Sequence, residues 1–146
     1  MSAQPALTLK RVEAWLSRRG IAVGPEEGGA VFMSFPGCDI GVYLHAKDPV
    51  LVVAGKWHGR PPAERLDEMR TFIDTQHRST YGPDLAVTPA HDPSLLLLST
   101  QMVAYVGEGM SDAQLDAFLD MGLGMTRAFF ATVEERFPEL VTWEED

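Results

Sequence analysis

Residues Ser111–Phe137, SDAQLDAFLDMGLGMTRAFFATVEERF, decide how the rest of the chain is read. Ser111 and Gln114 make an S-x-x-Q capping box, which marks a helix N-terminus when an amphipathic run follows. Projected at about 100° per residue, the run divides into three faces. Leu115, Phe118, Leu119, Gly122, Leu123, Thr126, Phe129, Phe130, Val133 and Phe137 share one broad arc, the expected core face. Asp112, Asp116, Asp120 and Glu134 form a narrow acidic arc beside it, read as a solvated face or a docking stripe for a basic partner. Ala113, Ala117, Gly124, Ala128 and Ala131 form a third arc of small side chains. Small residues let a second helix approach closely, and Gly124 costs about 1 kcal/mol relative to Ala inside a helix. This arc is the candidate dimer face; its plainer reading is a solvated face of good helix formers.

Upstream, Thr8–Arg19 has the i, i+3, i+4 pattern of a helix in Leu9, Val12, Trp15 and Leu16, with Gly20 as its stop. Ile21–Val23 is a short candidate strand, and Pro25–Gly29 a turn. Strands are expected at Ala30–Phe35, Asp39–Leu44 and Val50–Trp57, separated by turns at Pro36-Gly37 and Asp48-Pro49. A second helix is expected from Pro62 to about Gln76, followed by a loop over His77–Pro83. Leu85–Pro89 and Leu95–Val106 complete the strands, the second opening on a leucine run that reads as buried on both faces. After Phe137, Pro138 breaks the long helix, and the tail from about 139 to 146 is expected to be flexible. Strands in consecutive runs argue for an α+β fold, an antiparallel sheet flanked by helices in the order α-β-β-β-α-β-β-α. The 146 residues suit a single domain, with no internal repeat.

The net charge of -9 is unevenly placed. Residues 1–78 carry 10 Lys/Arg against 9 Asp/Glu, and residues 79–146 carry 2 against 12. Sequence-independent binding to nucleic acid or anionic lipid needs a basic surface, so neither partner is expected. No apolar run approaches the roughly 20 residues that span a bilayer. The start of the chain lacks a secretory pattern, and the single Cys38 fits a reducing compartment; a cytoplasmic location is expected.

The chemistry-bearing residues form no catalytic motif. His45, His58, His77 and His91 are widely spaced, without a zinc-ligand pattern, so no metal is expected. Gly55-Lys56 lacks the upstream glycine of a phosphate loop, because Val50 stands there. Gly107-Glu108-Gly109 lacks its third glycine, at Asp112, and no nucleotide cofactor is expected. Cys38 would be a nucleophile only with a nearby histidine and a lowered pKa. Trp57, Arg60, Arg78 and Tyr81 are the candidate partner-binding residues, since Trp and Arg supply large contact area and planar donors. They would frame a groove if the two connections carrying them met at one edge of the sheet.

The strand ending in Trp57, the connection His77–Leu85, the strand at Met102–Val106 with Gly109, Ser111–Leu115, Phe129-Phe130 and Phe137-Pro138-Glu139 together resemble the YbjN-domain family of bacterial sensory transduction regulators. The first helix fits too, so the resemblance covers nearly the whole chain. Members often carry an asparagine and tryptophans in the connection where this chain has His77, Ser79 and Tyr81. The resemblance implies a fold similar to type III secretion chaperones, commonly dimeric, and a role in binding protein rather than turning over a substrate. The expected function is a non-enzymatic, cytoplasmic protein-binding module, regulatory or chaperone-like, acting as a homodimer. The alternative is a small-molecule sensor or enzyme with a pocket near Trp57.

Overall fold

The computed structural model describes residues 5–143 apart from 25, 46, 48, 80 and 81. The turn residues Pro25 and Asp48, the candidate Tyr81, and the end of the tail at 144–146 lie outside the described residues. The element order is α1 (Leu9–Arg18), β1 (Ala30–Phe35), β2 (Cys38–Leu44), β3 (Val50–Trp57), α2 (Leu66–Ser79), β4 (Asp84–Pro89), β5 (Leu96–Tyr105) and α3 (Asp112–Arg136). The five strands make one antiparallel sheet, ordered β1-β2-β3-β5-β4. The α+β reading and its element order hold.

Each helix begins and ends for a local reason. Thr8 caps α1, its hydroxyl accepting the Arg11 N–H at 3.3 Å, and Gly20 at φ 72° turns the chain away. In α3 the capping box closes in both directions. The Gln114 N–H reaches Ser111 Oγ at 3.1 Å, and the Ser111 N–H reaches Gln114 Oε1 at 2.9 Å. A 3₁₀ turn over Ala63–Arg65 leads into α2. This helix runs three residues beyond the expected end, so His77 and Arg78 sit on its last turn rather than in a loop. Arg78 there complements the negative helix end.

The pleat sorts the strands into two faces. Met33, Ile40, Val53, Leu96 and Leu98 point to one side and are almost fully buried. All three helices cover that side. Helix α3 runs beneath the central strands, burying Leu115, Leu119, Phe130 and Val133. Helix α2 lies against β4, with Phe72 edge-on to Phe137 at 5.3 Å and tilted against Phe129 at 6.1 Å. Each large apolar side chain in this layer contributes roughly 1.5–3 kcal/mol when fully buried. The leucine run of β5 is buried on one face only: Leu96 and Leu98 point inward, while Leu97 is half-buried on the other side.

The acidic arc of α3 remains largely solvent-exposed, but three of its carboxylates are already paired within the chain. Arg11 reaches Asp112 at 3.0 Å, and Arg19 spans Asp116 at 2.7 Å and Asp120 at 3.0 Å. The charge imbalance between the two halves of the chain thus becomes attraction between α1 and α3. Arg65 adds a further pair with Glu139 at 2.9 Å.

Two expectations fail locally. Ile21–Val23 is not a strand; the chain instead passes the β1 edge with a single bond from the Gly24 N–H to the Phe32 carbonyl at 3.0 Å. The tail does not loosen at 139. Pro138–Leu140 forms a 3₁₀ turn, and Leu140, Val141 and Trp143 are partly buried against the core.

Candidate functional site

Trp57 ends the central strand, and its inward register buries it completely. Its indole N–H donates to Glu134 Oε2 of α3 at 3.3 Å. Trp143 meets it edge-on at 5.8 Å and meets His58 in the same way at 5.7 Å. A ring with no exposed surface does not line an open pocket, so Trp57 belongs to the core rather than to a contact surface. Arg60 folds back so that its guanidinium donates to the carbonyls of Trp57 and Gly59. Arg78 is exposed at the far end of α2, 14 residues or roughly 20 Å of helix away. The structure therefore does not bring Trp57, Arg60 and Arg78 together into one groove, and Tyr81 is outside the described residues.

Among the described residues, Ser34, Asp39 and His58 form a polar cluster that resembles catalytic machinery. Ser34 Oγ donates to Asp39 Oδ1 at 2.8 Å, and His58 Nε2 approaches the same oxygen at 3.0 Å. Nucleophilic catalysis needs the serine hydroxyl on the histidine; here both are spent on the carboxylate. Partial burial works against ionisation of Asp39. The hydrogen bonds from His58 and Ser34, with the charges of His58 and Arg60, outweigh it and hold the carboxyl below its usual range. The cluster ties the β1–β2 hairpin to the end of β3.

Cys38 is buried, and burial pushes its thiol up to about 11; Arg127 offsets part of this, while Asp39 and Glu134 add to it. The thiol is protonated at neutral pH and is a poor nucleophile. Among the described residues, no group of three or more His, Cys, Asp or Glu is placed to hold a metal ion.

The surface that stands out is the helix-free face of the sheet. Cross-strand register lines up Tyr43, Val52 and Val103 in one row, with Val50 and Tyr105 beside them. Phe32 lies opposite Gly41 in the next row. Phe32 and Tyr43 meet edge to face at 5.6 Å across Gly41, where a Cβ would come within 2.7 Å of the tyrosine ring. Tyr105 is 72% exposed, Val103 50% and Phe32 40%. Sequence reasoning missed these residues because Ala30–Phe35 is apolar on both faces, so period-2 alternation cannot say which side is inward.

The outward surface of α3 is the second open region. Ala113, Ala117, Gly124, Ala128 and Ala131 are all exposed, and a Cβ on Gly124 would meet nothing within 4 Å. The small-residue arc therefore has no partner within the described chain. Beside its C-terminal half lies a largely apolar cavity of about 170 Å³, between Met125, Ala128 and Phe129 of α3, Leu85 of β4 and His77 of α2.

No helix among the described residues is long and apolar enough to cross a membrane. No curated protein matches the chain. A solved structure described as "Crystal structure of YbjN, a putative transcription regulator from E. coli" superposes with a TM-score of 0.74. The match covers 92% of this chain and 96% of that one at 12% identity, a likeness of fold. Residues 8–135 match the YbjN family, described as "putative bacterial sensory transduction regulator", and with most of its length matched the chain belongs to that family.

Proposed function

We propose that the chain is a non-enzymatic regulatory module of the cytoplasm that works by binding protein, acts as a homodimer, and docks its partner on the helix-free face of the sheet. The carrying observation is the cluster of exposed Phe32, Val103 and Tyr105, with half-buried Tyr43 among them, on one face of the five-stranded sheet. Rigid aromatic side chains give large contact area at low cost in side-chain entropy, and contiguous exposed apolar surface is a mark of interaction sites. The polar residues that could have carried chemistry are engaged in holding the fold, as Asp39, His58 and Cys38 illustrate.

The test compares the wild-type chain with a Phe32→Ser/Tyr105→Ser double variant as affinity baits in cytoplasmic extract. A protein held by the wild type and lost with the variant, at unchanged melting temperature, supports the reading. A partner held equally by both removes the sheet face from it. Regulatory and chaperone-like action then separate on the client: a folded partner of fixed stoichiometry favours regulation, whereas retention of many unfolded chains favours a chaperone-like role.

A further inference from the structure

The cavity beside α3 and the one large apolar side chain that α3 exposes are spaced so that a second copy of the helix would bring them together. Met121 is 39% exposed. It lies three residues before Gly124, and Ala128, on the cavity wall, lies four residues after it. Ala117 and Ala131 follow seven residues out on either side. Residues 117, 121, 124, 128 and 131 alternate steps of four and three, the period of a seam between two packed helices. Read backwards the seam has nearly the same shape, as a two-fold axis through Gly124 requires.

We propose that two copies of this chain associate through antiparallel α3 helices that cross at Gly124, each lodging its Met121 in the cavity of the other. This rests on the homodimer reading above and adds its surface, direction and register. The cavity of about 170 Å³ suits one such side chain, given that an apolar cavity of about 150 Å³ accepts benzene. Two polar groups on its wall are already engaged within the chain. His77 Nε2 accepts the Leu85 N–H at 3.2 Å, and the Thr132 hydroxyl donates to the Ala128 carbonyl at 3.1 Å. Gln76 adds a polar edge to the wall; the rest is mostly apolar contact, including the Phe129 ring, which suits the flexible thioether of methionine.

The cavity selects the direction. In antiparallel pairing about Gly124, Met121 comes level with Arg127 and Ala128 of the other copy, beside its cavity. In parallel pairing each Met121 stays level with the other Met121, about one to two turns short of the cavity wall at Met125 and Ala128.

The experiment uses the full chain in a Cys38→Ala background, with sedimentation equilibrium for mass and single cysteines for register. The wild type is expected to be a dimer. Gly124→Cys is expected to form an intermolecular disulfide under mild oxidation. Ala117→Cys alone is not, since its two copies would stand roughly 20 Å apart along the helices. A mixture of Ala117→Cys and Ala131→Cys is expected to cross-link. Met121→Glu is expected to weaken the dimer at least tenfold with an unchanged monomer melt. A wild type that stays monomeric at high concentration overturns both this proposal and the homodimer reading. A dimer in which Ala117→Cys links to itself as readily as Gly124→Cys is parallel and overturns the register. A dimer that neither cross-links at Gly124→Cys nor responds to Met121→Glu uses another surface: it overturns this proposal and leaves the homodimer reading standing.

Discussion

The indole Nε1 of Trp15 donates to Asp116 Oδ1 at 2.9 Å, joining residues 101 positions apart in sequence, and Arg19 reaches the same oxygen at 2.7 Å while stacking over the Trp15 ring at 4.5 Å. Trp15 is only 4% exposed, so its N–H depends on that acceptor. Asp112 and Asp120 meet arginine alone. Asp116→Ala is therefore expected to lower Tm more than Asp112→Ala or Asp120→Ala. Equal losses in thermal melts would reduce the indole bond to an ordinary surface contact.

The same carboxylate sets an acid dependence. The hydrogen bond from Trp15, then that from Arg19, holds Asp116 below the usual carboxylate range. A depressed folded pKa means the stabilisation is complete above the unfolded value, about 3.9, and is lost as pH falls through the folded one. Tm is expected to hold near neutral pH and to drop below about pH 4. The drop should be shallower in Asp116→Asn, and an identical slope in the variant would refute the assignment.

Gly55 lies opposite Thr100 in the register, under Thr126 and Phe130 of α3. A Cβ there would come within 2.5 Å of Thr126 Cγ2 and 2.6 Å of Thr100 Oγ1. Gly55→Ala is expected to cost about 1–3 kcal/mol through overpacking. The Thr126 hydroxyl is buried without a partner among the described residues. Thr126→Val, of similar shape, is expected to raise stability by about 1 kcal/mol in urea unfolding. A loss of stability would place a bond on that hydroxyl.

Cys38 offers a chemical readout of the same core. With its thiol pushed up to about 11, chiefly by burial, it is expected to resist alkylation at neutral pH in the native protein and to react rapidly once urea unfolds the chain. Rapid native labelling would mean that the β1–β2 hairpin opens well below global unfolding.

Trp143 packs on Trp57 and His58 with its own indole N–H unpartnered among the described residues. Trp143→Phe keeps a ring and removes the orphan donor, so it is expected to be close to neutral. Trp143→Ala is expected to lose about 1–2 kcal/mol and to perturb the fluorescence of Trp57. Equal effects of the two would mean that the ring contact contributes nothing.

Much of the fold was legible because its signals are local. The capping box at Ser111, the spacing of Leu9, Val12, Trp15 and Leu16, and the turn at Pro36-Gly37 each fix an element boundary from a few neighbouring residues. The site was less legible because it depends on which elements meet. The arginines at 11 and 19 are about 100 positions from the aspartates they bind, and nothing in either segment names the other. Trp57 read as a contact residue because tryptophan favours interfaces, yet the same ring area favours burial, and its inward register decides. Phe32 and Tyr105 became visible only once the sheet had a covered and an uncovered side.

The clasp between α1 and α3 also has a consequence in time. A chain emerging from the ribosome presents α1 and all five strands before any of Asp112, Asp116 or Asp120 exists. Until α3 is made, the inward row of Met33, Ile40, Val53 and Leu98 has no α3 to cover it, and Arg11 and Arg19 have no carboxylate on α3 to close upon. Synthesis thus leaves a wetted apolar sheet for the interval that α3 takes to appear, the kind of species that aggregates or calls on a holdase. Closure is a single late event led by the most acidic helix, so a chain truncated within α3 is expected to be handled by the cell as unfolded rather than as a shorter version of the same protein.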